Sequence, residues 1–294
     1  MTPALPRGDT VPELSAILIP ILNAFSLIFI LLLIAMGLAV IFGLMEIINL
    51  AHGEFFMLGA YALFVTTAMG LSPWLGFLFA PLALALLALV VERSVIQRLY
   101  RRSLETLLAT WGLSILLRQG VEIIFGKGYR QIPHPLPGSL EFLGVTYPAY
   151  RTFLMAASMG VVIITYLLLY RTDFGLQMRA VIQNPEMAAA LGIHTRRVYQ
   201  VGFVFGAALA GFAGALMAPL SSVYPNMGLD FLVEAFFVVI VGGLGTLTGL
   251  VAGAVTIGGV ESVFSFLSNA VIARIVVLLL AIGIIQFRPR GLFG

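Results

Sequence analysis

Cysteine is absent from the 294 residues, and charged residues make up only 10% of them. Without cysteine the chain has no disulfide, no thiolate nucleophile and no cysteine-based metal site. A soluble globular domain carries about 25% charged residues. The low charge, with 61% hydrophobic residues and a mean hydropathy of +1.08, therefore argues against a soluble protein. The net charge is only +3, and the basic residues are concentrated in a few loops, so the sequence does not favour nucleic-acid binding.

Motifs for nucleotide binding and catalysis are also missing. The pattern GxxxxGK[ST], whose backbone amides hold phosphates, does not occur, and the nearest fragment, at 126–128, lacks its spacing and hydroxyl. His134 and His194 fall in loops predicted on opposite sides, so no Ser-His-acid set forms. His52 and Glu54 supply only two ligands for a metal. We therefore expect no catalytic residue, no cofactor and no metal, so that separate ATPase chains must energise any active transport.

Long apolar runs dominate what is present. A run of about 20 residues crosses a bilayer core about 30 Å thick. The predicted fold is an all-α polytopic membrane protein with about eight hydrophobic segments, forming one domain over 1–294 after a tail at 1–13. The first run is too long for a signal peptide and is interpreted as a retained span. The main runs are 14–42, 55–71, 75–91, 104–125, 152–170, 199–219, 250–267 and 271–287.

The basic residues predict which loops lie in the cytoplasm. Arginines cluster at 92–105 and at 171–198, and Arg288 and Arg290 follow the last run. We therefore expect these two loops and the C-terminus to be cytoplasmic. The Pro-rich loop at 126–150 and the loop at 219–230 are expected on the periplasmic side. Counting back gives an external N-terminus if the first run crosses once.

One further apolar run, 231–240, has only ten residues, which is too short to cross the core. A glycine-rich segment follows it, so we predict a broken or re-entrant helix whose freed backbone groups face protein or water rather than lipid. Glycines also interrupt the chain at 43–53, in the other half. Broken segments in corresponding halves suggest an inverted repeat. The broken-helix glycines are Gly242, Gly243, Gly245 and Gly249.

Polar residues stand between apolar runs at 46–54, without any lysine or arginine. An ionisable residue inside the membrane indicates a functional site, because its burial is costly unless it faces a cavity or a partner. One interpretation places Glu46, Asn49, His52 and Glu54 along the substrate pathway. The other is that they satisfy broken backbone and hold a bend. Glu234 lies either at the outer mouth of the pathway or at the membrane interface.

The loop at 171–198 contains a short predicted helix. Asn184 is a suitable N-cap, Pro185 suits the first helical position, Glu186 falls in the first turn, and Gly192 ends the helix. A short, alanine-rich helix on a cytoplasmic loop is a docking surface for a partner. The alternative is an ordinary solvated connector.

Five stretches together resemble the permeases of branched-chain amino-acid ABC importers, the LivH type, over nearly the whole chain. The related urea and short-chain amide permeases are similarly close. Within 186–192 the coupling motif Glu-Ala-Ala-x-x-x-Gly is recognisable, although Met187 replaces its first alanine and its Ile-x-Leu-Pro ending is absent. The stretches are INLAHGEFFMLGAY at 48–61, QMRAV at 177–181, MAAALGI at 187–193, VVIVGGLGTLTG at 238–249 and RPRGLFG at the C-terminus.

The resemblance implies a translocation subunit in a bacterial inner membrane that moves hydrophobic, branched-chain amino acids into the cytoplasm. It implies two ATPase subunits, a second permease of the same family or a second copy, and a periplasmic solute-binding protein. The coupling residues would be Glu186, Ala188, Ala189 and Gly192, all exposed, with Arg179. A urea or short-chain amide permease is the alternative. A proton-coupled secondary transporter or channel, using Glu46, His52 or Glu54 as a relay, is the alternative from a different class.

Overall fold

The computed structural model describes residues 12–45, 47–100, 102–142, 145–243, 246–288 and 291–293. Residues 1–11 of the predicted tail, Glu46 among the pathway candidates and Gly245 among the broken-helix glycines lie outside the described residues.

The described chain is almost entirely helical, which confirms the predicted all-α polytopic membrane protein. Seven of its helices, α1, α3, α4, α5, α8, α10 and α11, are long and apolar enough to cross a membrane. Two further apolar helices, α2 and α9, have only 17 and 16 residues. The helices are α1 Pro12–Met45, α2 His52–Ala68, α3 Pro73–Ser94, α4 Ser103–Phe125, α5 Ala149–Arg171, α6 Asp173–Gln183, α7 Pro185–Ala190, α8 Thr195–Met217, α9 Met227–Gly242, α10 Leu247–Leu267 and α11 Ala270–Phe287.

The predicted loop at 126–150 contains a short β-hairpin that the sequence analysis did not predict. Strands β1, Ser139–Phe142, and β2, Val145–Pro148, pair antiparallel, with Leu140 opposite Tyr147. Strands of four residues carry too little apolar periodicity to be recognised from the sequence of a loop that also contains four prolines. The predicted loop at 171–198 likewise holds α6 in addition to the predicted α7.

The two ends of the bundle differ in charge. At the hairpin end, Tyr147 and Arg151 donate hydrogen bonds to Asn23 of α1, over 3.2 and 3.0 Å. The other end, called the basic end below, holds the ends of α1, α3 and α5 and the helices α6 and α7. Most of the described arginines belong to it, namely Arg93, Arg98, Arg102, Arg171, Arg179, Arg196, Arg197 and Arg288.

The order and packing of the helices support the inverted repeat hypothesis. The contact of α3 with α8 corresponds to the contact of α10 with α1. The α2–α3 pair likewise corresponds to the α9–α10 pair. The equivalent helices run in opposite directions: α1 leads from the hairpin end to the basic end, and α8 leads back. Exchanging α1–α4 with α8–α11 therefore reproduces most of the pattern of helix neighbours.

Two glycine pairs lie where the halves cross. A Cβ added to Gly37 of α1 would lie 2.5 Å from the carbonyl oxygen of Gly206 in α8, and one added to Gly206 would lie 2.6 Å from that of Gly37. Gly53 of α2 and Gly228 of α9 show the same reciprocity, at 2.2 and 2.5 Å. Such mutual contact is what a two-fold relation between the halves produces. Glycine is required because backbone meets backbone at each crossing.

The predicted break after the short apolar run is present. Helix α9 begins earlier than the run, at Met227, and reaches the basic end, where Gly243 has a φ of +95° and the chain turns into α10. Gly242 and Gly249 face each other across this turn, since a Cβ on Gly242 would lie 2.2 Å from the Gly249 carbonyl oxygen. At about 1.5 Å per residue, the 16 residues of α9 extend roughly 24 Å, which is shorter than a bilayer core of about 30 Å.

The C-terminal segment satisfies the backbone that this break frees. The amide of Leu292 donates to the Val241 carbonyl over 2.8 Å, and the amide of Phe293 donates to the Gly242 carbonyl over 3.3 Å. The last carbonyls of a helix have no partner within it. The expectation that the freed groups of the broken helix face protein is therefore met at Val241 and Gly242.

Candidate functional site

Helix α7 at the basic end forms as the sequence predicts. The Asn184 side-chain oxygen accepts hydrogen bonds from the amides of Glu186 and Met187, at 3.1 and 2.9 Å, so Asn184 is its N-cap. At the other end Gly192 has a φ of +86°, and its amide donates to Ala189 while the amide of Ile193 donates to Ala188, both over 3.0 Å. These two bonds form a Schellman motif, which explains why glycine stands at 192.

The expected exposure of the coupling residues is wrong for Ala188. Glu186, Ala189 and Gly192 are exposed, but Ala188 is only 2% exposed. It packs with residues of α1, α6 and α8, because the helix has one face turned to the bundle and alanine is small enough to let it approach. The cluster is Val40, Leu44, Met178, Val181, Ala188 and Val198.

The large exposed apolar side chains of α7 and its C-cap are Met187 and Leu191, 58% and 75% exposed. Sequence reasoning treated Met187 as a departure from the motif and did not consider Leu191. Contiguous exposed apolar surface marks sites of interaction with proteins or with lipid. The signal in the sequence was the spacing of four residues between Met187 and Leu191, which places two large apolar side chains on one face of the predicted helix.

Arg179 contacts the bundle rather than open solvent. Its guanidinium donates to the Leu169 carbonyl near the end of α5 and lies 5.3 Å from the centroid of the Tyr170 ring. Gly175, three residues into α6, lies so close that a Cβ would stand 2.1 Å from the same carbonyl oxygen. Arg179 therefore holds α6 against the end of α5.

A cavity of about 840 Å³ opens beside α7 at the basic end. Arg93, Arg98, Tyr100 and Arg196 line it together with the ends of α1 and α6. Tyr100 donates to the buried carboxylate of Glu92, and Gln200 of α8 donates to the same group over 2.5 Å. Burial, and then the adjoining Glu92 carboxylate, raises the pKa of the Tyr100 hydroxyl well above its usual range. The hydroxyl thus stays a hydrogen-bond donor at neutral pH.

The predicted polar group of the first half lies at the break between α1 and α2. Asn49, His52 and Glu54 are all buried. The Asn49 side-chain oxygen accepts from the Ala51 amide over 3.1 Å. The Thr110 hydroxyl of α4 accepts from the amide of Leu50 over 3.3 Å. These bonds satisfy backbone groups that the break removes from a helix.

His52 and Glu54 attach the first turn of α2 to its neighbours. His52 Nε2 lies 3.1 Å from the carbonyl oxygen of Ile34, in the middle of α1. Because a carbonyl only accepts, Nε2 carries the proton. The Glu54 Oε1 atom accepts from Ser114 of α4 over 2.8 Å. Asn49 Nδ2, His52 Nδ1 and Glu54 Oε2 are buried without a hydrogen-bond partner in the described chain.

Replacing His52 separates the two interpretations of this group. We expect His52→Ala to lower the thermal midpoint of the purified protein, because the Ile34 bond and the packing of the ring beside Gly37 are lost, at a cost of about 1–3 kcal/mol. Uptake per folded molecule is expected to stay near the wild-type level. His134→Ala, an exposed histidine at the hairpin end, is the control. Uptake lost at an unchanged midpoint would instead assign His52 to the pathway.

Glu234 is buried near the hairpin end, in a cluster with the half-buried Glu261 and the exposed Arg274. Its carboxylate lies 3.5 Å from Arg274 Nε of α11 and is in hydrogen-bonding contact with Glu261 of α10. The Glu234 side chain is buried among three helices, and its placement at the outer mouth of the pathway or at the membrane interface stays a prediction. Sequence reasoning missed Glu261 and Arg274, which stand alone in their apolar runs. An isolated charge in a predicted span was the available signal.

A comparison with protein-family models identifies the family of the chain. Residues 20–285 match the model described as branched-chain amino acid transport system / permease component. The chain belongs to this family. It is a multi-pass membrane permease component of the ABC transport type, as the resemblance implied. The matched residues reach from α1 to α11.

Curated relatives agree with the family. The permease is 28% identical over 279 residues to the high-affinity branched-chain amino acid transport system permease protein BraD of Pseudomonas aeruginosa, covering 89% of this chain and 91% of the relative. It is 29% identical over 280 residues to LivH of Escherichia coli K12, covering 89% and 90%. It is 28% identical over 256 residues to LivM of the same strain, covering 78% and 60%. No solved structure matches the chain.

Proposed function

We propose that this permease is a translocation subunit of an ABC importer that moves branched-chain amino acids into the cytoplasm. Two ATPase subunits energise it, a second permease of the same family completes the pore, and a periplasmic solute-binding protein delivers the solute. The observation that carries the proposal is the α6–α7 segment, which presents Met187 and Leu191 at the basic end of a chain belonging to a permease family.

The orientation follows from the arginines. Because positively charged loops stay on the cytoplasmic side, the basic end faces the cytoplasm of a bacterial inner membrane, and the C-terminus lies there too. The start of α1 and the β-hairpin then face the periplasm. The single continuous helix Pro12–Met45 supports this assignment, since the first run crosses once.

The α6–α7 segment packs against the helix bundle in a way that would transmit motion of a docked ATPase subunit. Ala188 of α7 and Val181 of α6 pack against Val40 and Leu44 of α1 and against Val198 of α8. Helices α1 and α8 are the two that cross at Gly37 and Gly206. A shift of the ATPase surface would therefore reach the centre of the bundle through packed side chains. Nucleotide binding would then favour one of two arrangements of the halves.

A second permease of the same family fits the comparisons. One strain of Escherichia coli holds two relatives of this chain, LivH and LivM, each named a permease protein of a branched-chain amino acid transport system. A heterodimer of two related permeases accounts for that pair, while a homodimer requires only this chain.

Reconstitution tests the proposal. We expect proteoliposomes that contain the permease, its partner permease, the ATPases and the binding protein to accumulate radiolabelled leucine only with ATP. Proteoliposomes with this chain alone are expected to accumulate none under a pH gradient. Uptake by the single chain driven by protons would support a secondary transporter. ATP-dependent uptake of urea or acetamide, with leucine excluded, would assign the amide permease function instead.

A further inference from the structure

A cavity of about 320 Å³ opens near the hairpin end between α1, α5, α8 and α10. Small-molecule sites begin at about 300 Å³, so this cavity suits a small solute. Its walls combine an arginine, a glutamate and four uncharged polar residues with an apolar portion. The polar residues are Asn23, Ser26, Arg151, Glu261, Ser262 and Ser265. The apolar portion includes Leu27, Met217, Leu220 and Phe266.

Arg151 is held in place on one wall. Its Nη1 atom donates to the Asn23 side-chain oxygen over 3.0 Å, and the Tyr147 hydroxyl donates to the same oxygen over 3.2 Å. Tyr147 also lies 3.1 Å from the Ser26 hydroxyl. A guanidinium has five N–H groups in a fixed plane, and one of them fixes Arg151 here. Among the described residues Arg151 makes no other polar contact, so the remaining N–H groups are available for a planar anion such as a carboxylate.

Glu261 on α10 lines the same cavity and has unmet bonding capacity. Its Oε2 atom is buried and has no hydrogen-bond partner in the described chain. Behind it, Glu234 contacts Arg274 over 3.5 Å and is in hydrogen-bonding contact with Glu261. The contact with the guanidinium thus belongs to Glu234, while Glu261 interacts with Arg274 only electrostatically over a longer distance. A buried acceptor without a donor is unfavourable, and a rotation of the Glu261 side chain toward the cavity would let an ammonium group, which has three N–H donors, satisfy it.

We propose that this cavity binds a zwitterionic amino acid with an apolar side chain. Arg151 binds the carboxylate, Glu261 binds the ammonium, and Leu27, Leu220 and Phe266 contact the side chain. This inference rests on the proposed function and names the residues that recognise its solute. Urea and short amides are uncharged, so they have no ionic groups that would pair with an arginine and a glutamate in one cavity. The site therefore favours the amino-acid assignment over the amide assignment.

Analogues of leucine that lack one charged group test the two roles separately. The assay is competition with radiolabelled leucine for the purified permease complex, without the binding protein. The competitor 4-methylpentanoate lacks the ammonium group, and 3-methylbutylamine lacks the carboxylate. The wild type is expected to prefer leucine to both by roughly 10- to 100-fold, the range for hydrogen bonds to charged groups.

Each charge variant is expected to lose one preference only. Glu261→Gln should bind leucine and 4-methylpentanoate alike, whereas Arg151→Gln should bind leucine and 3-methylbutylamine alike. Arg151→Lys keeps the charge and should restore part of the preference. Glu141→Gln, an exposed glutamate of β1, is the matched control. Ser262→Phe fills the cavity while keeping both charges and should lose leucine binding, which tests the site if an Arg151 variant fails to assemble.

The outcomes distinguish the site from the function. ATP-dependent leucine uptake by the wild type, together with unchanged binding in Glu261→Gln, Arg151→Gln and Ser262→Phe, overturns the site and leaves the function standing. Equal competition by both analogues in the wild type also overturns it. Charge-specific losses of binding in a complex that transports no leucine support the site and overturn the proposed function.

Discussion

Alanine at position 53 is expected to leave no stable permease. Gly53 lies where α2 crosses α9, and its added Cβ would stand 2.2 Å from the carbonyl oxygen of Gly228 and 2.8 Å from the carbonyl carbon. Both are backbone atoms, so no side-chain rotation relieves the clash and the two helices must separate. Overpacking of a core costs about 1–3 kcal/mol where side chains can adjust, and here they cannot.

The measurement is the thermal midpoint of the detergent-purified protein and the yield of monodisperse material. Gly120→Ala is the matched control, because Gly120 also lies inside a helix, α4, but has nothing within 4 Å of an added Cβ. Alanine is favoured over glycine in helices by about 1 kcal/mol, so this control is expected to be as stable as the wild type or more so. A Gly53→Ala midpoint within two or three degrees of the wild type, roughly the effect of 1 kcal/mol in a protein of this size, would contradict the tight crossing.

The second large effect is expected at the docking helix. Leu191→Arg should abolish co-purification of the ATPase subunits, because a charge at the centre of an apolar contact is desolvated without a partner. Leu191 is exposed, so the variant should insert and fold as the wild type does. ATP-dependent uptake should fall with the co-purified ATPase, while the thermal midpoint of the permease alone stays unchanged.

Leu140→Arg is the control for this variant. Leu140 is an exposed leucine of β1 at the opposite end of the bundle, so its replacement adds the same charge away from the basic end. We expect it to retain the ATPases. Full ATPase recovery with Leu191→Arg, or equal loss with Leu140→Arg, would remove α7 as the docking surface.

The polar residues of the interior show that closeness in the sequence does not by itself decide which side chains meet in the fold. Asn49, His52 and Glu54 lie close together in sequence, and the fold keeps them together at the break before α2. Glu261 and Arg274, by contrast, lie in separate apolar runs and meet Glu234 only through the packing of α9, α10 and α11. Arg151 and Glu261 share a cavity although 110 positions separate them in the chain.

The amino-acid sequence by itself determined the features that depend on neighbours along the chain. Apolar runs specify spans because length and hydropathy decide membrane insertion. Asn184 and Gly192 bound α7 because caps bond to backbone within a few residues. The break after α9 was equally visible, because Gly242, Gly243 and Gly249 interrupt the apolar sequence there, although α9 itself is longer than the ten-residue run predicted.

Only the tertiary structure decided which faces of those elements touch. It buried Ala188 and directed Arg179 to the end of α5. It also brought Gly53 against Gly228, 175 positions later in the chain. In a membrane span nearly every face is apolar, so periodicity does not distinguish a lipid-facing surface from a packed one. That choice depends on shape and on scattered polar atoms in distant helices, which no local pattern records.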